Sequence, residues 1–320
     1  MKNIPQCNLD GLGGEFKVTE ILEGEIASFL GVKHCVMVSS GTAALFLALR
    51  ATGAKKVAID SLTMFGTAVA AELAQCELFF VSNNEIPKEV DTYLHVSLNG
   101  RDCGIENAVR LNPNLNIIED SCQAFGSKYN GKYMGTFGKV GCFSFSPHKI
   151  LSAGNGGCVI TNDDEIARNV RKLKNFGRES GGGDTHDSIG YNFKFTDIQA
   201  QFVLDQFEGL DARIKRKVEM YKRYYKALSS IMRPHSGVPW SADIYVDERD
   251  KLASYLAGKG IGTRKMYPLL TTQKPFAHYE IFGDSTKDRN YSEQGLWLPS
   301  SRDITDEEID YVIEAVKAYK

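Results

Sequence analysis

Three segments of the sequence carry side chains and spacings that could do chemistry. The first is Phe143-Ser144-Phe145-Ser146-Pro147-His148-Lys149, an apolar run that ends in a lysine and leads to the glycine-rich turn Gly154-Asn155-Gly156-Gly157. A lysine in a partly apolar setting loses its proton readily and can attack an aldehyde to form a Schiff base, although most lysines are solvated surface groups. The second is Ile117-Ile118-Glu119-Asp120-Ser121-Cys122-Gln123-Ala124, an apolar strand ending in two acids. At the carboxyl end of a strand in an open α/β sheet, Asp120 would face the ligand crevice and could pair with a protonated ring nitrogen, or it could cap the next turn. The third is Ser39-Ser40-Gly41-Thr42-Ala43-Ala44. Between a strand and a helix, its free N–H groups and the positive helix end can cradle a phosphate, and its hydroxyls can equally serve as a plain N-cap.

Other constellations fall away. There is no G-x-S-x-G elbow, and His186 and His278 lack metal-ligand spacing to any other histidine. Gly11-Leu12-Gly13-Gly14 follows no strand, which argues against a dinucleotide fingerprint. The seven cysteines are odd in number and scattered without a C-x-x-C pair, so they read as reduced thiols, mostly in the core.

The elements that must position these groups alternate as in βαβ units feeding a largely parallel, buried sheet. Strands are expected at Cys35–Val38, Lys56–Ile59, Leu78–Val81, Tyr93–Val96, Asn116–Ile118, Gly141–Phe145 and Cys158–Thr161. Helices are expected at Thr42–Arg50, Phe65–Ala74 and Asp163–Asn175, with a loop at Gly177–Ser188. One long helix is expected from Thr196 to about Leu228, linking a large domain (1–212) to a smaller α+β domain (213–320). In that smaller domain a strand is expected at Ile244–Val246, and helices at Asp250–Lys259 and Asp306–Tyr319.

Lys and Arg number 38 against 40 Asp and Glu, a net charge of -2 that argues against nucleic acid or an anionic membrane surface as partner. No apolar run reaches membrane-spanning length, and Met1–Asp10 has no signal-peptide core, so a cytoplasmic location is expected.

In this order and spacing the segments resemble the DegT-like family of pyridoxal-phosphate-dependent nucleotide-sugar aminotransferases, of fold type I. Gly190-Tyr191-Asn192-Phe193-Lys194-Phe195-Thr196-Asp197 and Gly260-Ile261-Gly262-Thr263-Arg264 with Tyr267-Pro268 extend the likeness over nearly the whole chain. The resemblance implies a mainly parallel sheet flanked by helices, with a small α+β C-terminal domain. It implies pyridoxal 5'-phosphate (PLP), cycling with pyridoxamine phosphate, held by Lys149 as the Schiff-base lysine and Asp120 on the pyridine nitrogen. Gly41, Thr42, Ala43 and Ser144 would bind the phosphate, and Gln123 would lie against the ring. Met64 stands where the family commonly has an aromatic ring. Asn192 would reach the phosphate of a neighbouring subunit, which implies a homodimer with shared sites. His186, Tyr267 and Thr271 fall on the substrate side.

The activity implied is transfer of an amino group from L-glutamate to a keto carbon of a nucleotide-linked keto-deoxysugar, a 4-keto-6-deoxyhexose. The alternatives are a sugar dehydratase, whose branch of the family has histidine in place of Lys149, a keto-cyclitol aminotransferase, and a non-catalytic regulatory relative.

Overall fold

The computed structural model describes residues 17–179, 186 and 188–319. Its strands are β1 (His34–Val38), β2 (Lys56–Asp60), β3 (Glu77–Val81), β4 (Thr92–Val96), β5 (Asn116–Asp120), β6 (Lys128–Tyr129), β7 (Lys132–Tyr133), β8 (Val140–Ser144), β9 (Gly157–Thr161), β10 (Ala242–Tyr245), β11 (Arg264–Lys265), β12 (Ile281–Phe282) and β13 (Gly295–Leu298). Its α-helices are α1 (Lys17–Leu30), α2 (Gly41–Thr52), α3 (Phe65–Leu73), α4 (Ile105–Leu111), α5 (Asp164–Lys174), α6 (Asp197–Phe207), α7 (Leu210–Leu228), α8 (Arg249–Gly258), α9 (Thr286–Gln294) and α10 (Asp306–Ala318).

All seven strands expected in the first half form, shifted by no more than a residue or two. They join in the order β1-β9-β8-β5-β4-β2-β3-β12. From β8 to β12 every pairing is parallel. Strand β9 runs antiparallel to both neighbours, because the connection from β8, residues 145–156, is a loop with no helical crossover. Both faces are covered, which is why these strands read as continuous apolar runs. On one face α2, α3 and α5 pack on Val36, Val57, Ile118 and Val159. On the other, α1 and α6 pack on Met37, Phe143 and Ile160, and α4 packs on Tyr93 and Ile117.

Two expectations are corrected. The helix expected from Thr196 to Leu228 is two helices, α6 and α7, interrupted at Glu208-Gly209. They serve different cores: α6 covers the large sheet through Ala200, Val203 and Leu204, whereas α7 packs through Met220, Tyr224 and Leu228 against β10, β13 and α10. The strand expected at Ile244–Val246 begins two residues earlier and ends at Tyr245, where it pairs with β13 in a small antiparallel sheet. Of the loop expected at Gly177–Ser188, residues 180–185 and 187 lie outside the described residues, as do the glycines at 11–14.

Candidate active site

Strands β1, β5 and β8 end at one edge of the sheet, and each delivers part of the site. After β1 the chain turns into α2 through Ser40, whose Oγ accepts the Ala43 N–H at 3.0 Å. The Ala43 N–H thus serves the N-cap in this structure. The N–H groups of Gly41 and Thr42 have no acceptor among the described residues and remain available at the positive end of the helix. Gly41 is required by crowding: a Cβ there would lie 2.9 Å from both Cys122 Sγ and Ser144 Cβ.

Asp120 ends β5 and is 6% exposed. Its Oδ2 accepts the Thr67 hydroxyl at 2.7 Å, and its Oδ1 accepts the Cys122 N–H at 3.2 Å. Thr63 and Thr67 share a hydrogen bond of 3.0 Å beneath it. No cation pairs with this buried carboxylate among the described residues, and an unpaired buried charge calls for a positive partner. Glu119 faces the opposite way and is structural, accepting the N–H groups of Gly135 and Gly138 at 2.7 and 2.6 Å.

Lys149 follows β8 and its Nζ lies 4.9 Å from the Trp240 ring centroid. Burial lowers its pKa and the nearby Arg264 guanidinium adds to this, against the opposing pull of Cys122 and Asp120. The result is an amine inclined to be neutral, as a nucleophile or proton acceptor must be. The Cys122 thiol is pushed well up, first by burial and then by Asp120, which leaves it protonated.

Gly41, Thr42, Met64, Asp120, Gln123, Ser144, Lys149 and Tyr267 line one cavity of about 280 Å³. Gln123 is held at both ends, its Oε1 accepting from Asn99 N at 2.7 Å and its Nε2 donating to Tyr267 Oη at 3.3 Å. Burial pushes the Tyr267 hydroxyl up to about 12. Met64 is 42% exposed on the wall, its Sδ accepting Gly66 N–H at 2.9 Å. Four candidates do not line this cavity: Ala43, Asn192, His186 and Thr271. Asn192 accepts from Lys194 Nζ at 2.7 Å, exposed His186 contacts the Phe176 carbonyl through Nδ1 at 2.9 Å, and Thr271 sits in a 3-10 turn.

A second cavity of about 470 Å³ shares His148, Lys149, Trp240 and Arg264 with the first. Its wall adds Lys217, buried, with Nζ donating to the Trp240 and Ser300 carbonyls at 2.6 and 2.8 Å. Burial brings the pKa of Lys217 down to about 8. Arg264 lies 5.2–5.7 Å from the centroids of Trp297, Tyr267 and Trp240, and it forms no ion pair among the described residues. Sequence reasoning missed Thr67, Trp240 and Lys217. Their only signal was a polar or aromatic residue within an otherwise ordinary helix or loop.

The donor set suits PLP: an amine of lowered pKa, a buried unpaired carboxylate, and open N–H groups at a helix start around one cavity.

The sequence matches a family model, the DegT/DnrJ/EryC1/StrS aminotransferase family, over residues 14–317. It is 32% identical to GDP-perosamine synthase of Escherichia coli O157:H7, over 93% of this chain and 88% of that protein. It is 30% identical to UDP-N-acetyl-3-dehydro-alpha-D-glucosamine 3-aminotransferase of Acidithiobacillus ferrooxidans, over 92% and 87% of the two chains. The fold superposes on S. venezuelae DesV, solved in complex with a ketimine intermediate, with a TM-score of 0.85 and 26% identity over 95% of this chain and 89% of that one. A DegT DnrJ EryC1 StrS aminotransferase from Brucella abortus shares the fold with a TM-score of 0.87 at 24% identity, over 95% and 91% of the chains. The chain thus belongs to the DegT/DnrJ/EryC1/StrS aminotransferase family, in which PLP-dependent sugar aminotransferases are named among its relatives and structural neighbours.

Proposed function

We propose that this chain moves an amino group from L-glutamate to the keto carbon of a nucleotide-linked 4-keto-6-deoxyhexose. The observation that carries the reading is the convergence of Lys149, Asp120 and the open N–H groups of Gly41 and Thr42 on one cavity. The GDP-perosamine synthases among its relatives support a nucleotide-linked sugar as acceptor. So does the second cavity, which opens from Lys149 and carries the unpaired cations Lys217 and Arg264.

When bound, PLP supplies an electron sink for the charge left as a carbon beside the amine loses its proton. Around it, Asp120 holds a proton on the pyridine nitrogen, and Thr67 fixes the carboxylate for that task. The N–H groups of Gly41 and Thr42 and the Ser144 hydroxyl bind the phosphate. Lys149 Nζ, its pKa lowered by burial, takes the proton from the substrate carbon and returns it on the other side of the exchange. Gln123 and Tyr267 form the wall facing it, and Met64 covers the cavity rim.

In this reading residues 1–212 form the PLP-binding domain and 213–320 the smaller domain. Asn192 turns outward to complete the site of a second copy in a homodimer, with His186 and Thr271 contributing to the substrate side. The setting is cytoplasmic; no helix among the described residues is long and apolar enough to cross a membrane.

The test is an absorption spectrum of the purified protein with PLP, before and after glutamate, for wild type and Lys149→Ala. A visible band that depends on Lys149 and is lost on adding glutamate is the expected result. Identical spectra for the two proteins would sink the proposal.

A further inference from the structure

Behind the Gln123 wall lies a residue that no expectation singled out. Asn99 sits in the 3-10 turn after β4, fully buried, with φ 56° and ψ 25°. This is the left-handed region, which asparagine tolerates better than most residues but which still marks a held conformation. All four of its polar groups are engaged. The backbone N–H donates to Gln123 Oε1 at 2.7 Å, and the carbonyl pairs with His235 Nε2 at 2.7 Å. The side-chain amide pairs reciprocally with Ser241, Nδ2 donating to its carbonyl at 3.0 Å and Oδ1 accepting its N–H at 2.8 Å.

Those bonds run to both sides of the active site. Gln123 lines the first cavity together with Lys149, and Ser241 follows Trp240, whose ring centroid lies 4.9 Å from Lys149 Nζ and whose Nε1 donates to the His148 carbonyl at 3.0 Å. The next residue, Gly100, is pressed against the same incoming segment, since a Cβ there would lie 2.2 Å from the Val238 carbonyl. The turn therefore cannot shift without disturbing the 235–241 segment.

We propose that Asn99 is a positioning residue: its side-chain pair with Ser241 locks the turn that presents one N–H to Gln123, so that Gln123 and Trp240 are set against the cofactor cavity as one unit. Asn99 touches no reacting atom. The proposal rests on the PLP reading above and adds to it a residue outside the cavity wall.

The test begins with Asn99→Gly, because glycine keeps the left-handed backbone without strain and removes only the Ser241 pair. Folding is checked by circular dichroism. The dissociation constant for PLP is then measured for wild type, Asn99→Gly, Gln123→Ala and the double variant, and tryptophan emission is recorded without cofactor in a Trp297→Phe background, where Trp240 reports alone. The expected result is a loss of PLP affinity of about fivefold or more in Asn99→Gly, shrinking to under about twofold when Gln123 is already alanine. A red shift of Trp240 emission should accompany it. Equal losses in both backgrounds, or an unchanged Asn99→Gly, would overturn the proposal. If the glycine variant does not fold, Asn99→Asp takes its place, since it keeps the shape and turns an oxygen toward the Ser241 carbonyl. Wild type run in parallel separates the two ideas: absence of its Lys149-dependent band refutes the function, whereas a normal wild type beside an unaffected variant refutes the role of Asn99.

Discussion

Acidification should weaken this fold through His235. Its Nδ1 accepts the Gly237 N–H at 3.1 Å while Nε2 donates to the Asn99 carbonyl, so a second ring proton would confront an N–H already in place. The ring also packs edge-on against Tyr221 at 5.1 Å, beside the Arg101–Asp243 ion pair. Burial, reinforced by the Arg101 charge, brings its pKa from 6.5 down to about 4. The unfolded chain therefore takes up the proton first as pH falls. The stability contributed by the neutral ring is complete above pH 6.5 and drains away toward pH 4, by about 2 kcal/mol at pH 5 and about 3 kcal/mol at pH 4. Urea unfolding of the cofactor-free protein at pH 7.5 and pH 5 measures this directly, with His235→Gln as the reference. Glutamine keeps a donor for the Asn99 carbonyl and has nothing to titrate. Wild type should lose about 2 kcal/mol more than the variant across that interval. Equal losses, or a His235 imidazole resonance titrating near 6.5, would refute the reasoning.

Other substitutions test the site and its supports. Gly41→Ala should weaken PLP binding by about tenfold or more, since its Cβ must displace Cys122 or Ser144; equilibrium dialysis with PLP measures it. Thr67→Val removes a hydroxyl bonded to a buried carboxylate, and a hydrogen bond to a charged group is worth about 1.5–3 kcal/mol, so PLP affinity should fall by about tenfold or more with little change in melting temperature. Asp243→Asn leaves the buried Arg101 guanidinium without its bidentate partner and should cost about 3–5 kcal/mol in urea unfolding. Arg264→Met keeps bulk among the three rings but removes the charge; KM for an anionic substrate should rise severalfold in steady-state assays while the PLP spectrum stays as in wild type.

The strands of the parallel core were legible because burial on both faces leaves uninterrupted apolar runs such as Ile117-Ile118 and Val57-Ala58-Ile59. Lys149, Asp120 and Gly41 were legible for a related reason, since each ends or follows such a run at the edge where ligands bind. Less of the rest could be read. Helix α1 repeats apolar residues at Val18, Leu22, Ile26 and Leu30, a usable signal that went unread beside the strands. The break between α6 and α7 has a weaker trace, a single Gly209 in a continuous helical pattern, and it arises because two cores pull on the segment. Which N–H at the start of α2 the N-cap consumes could not be read, because a sequence shows a turn's donors without showing their acceptors. Trp240 reaches the site from far along the chain, and Asn99 is tied to that same distant segment through Ser241 and His235; such pairings leave no local periodicity.

The two-residue strand β12 has a bearing on how the chain is made. It seals the outer edge of the large sheet by pairing with β3, and Ile281 follows its partner Phe80 by some 200 residues. As the polypeptide leaves the ribosome, the β3 edge emerges early, with Phe79 beside open backbone groups, and its covering strand comes only after most of the C-terminal sheet has been synthesised. Until then the nascent protein carries an uncapped strand of the kind that recruits other chains. The last quarter of the sequence thus closes the first, and a product terminated before Ile281 would keep that edge open.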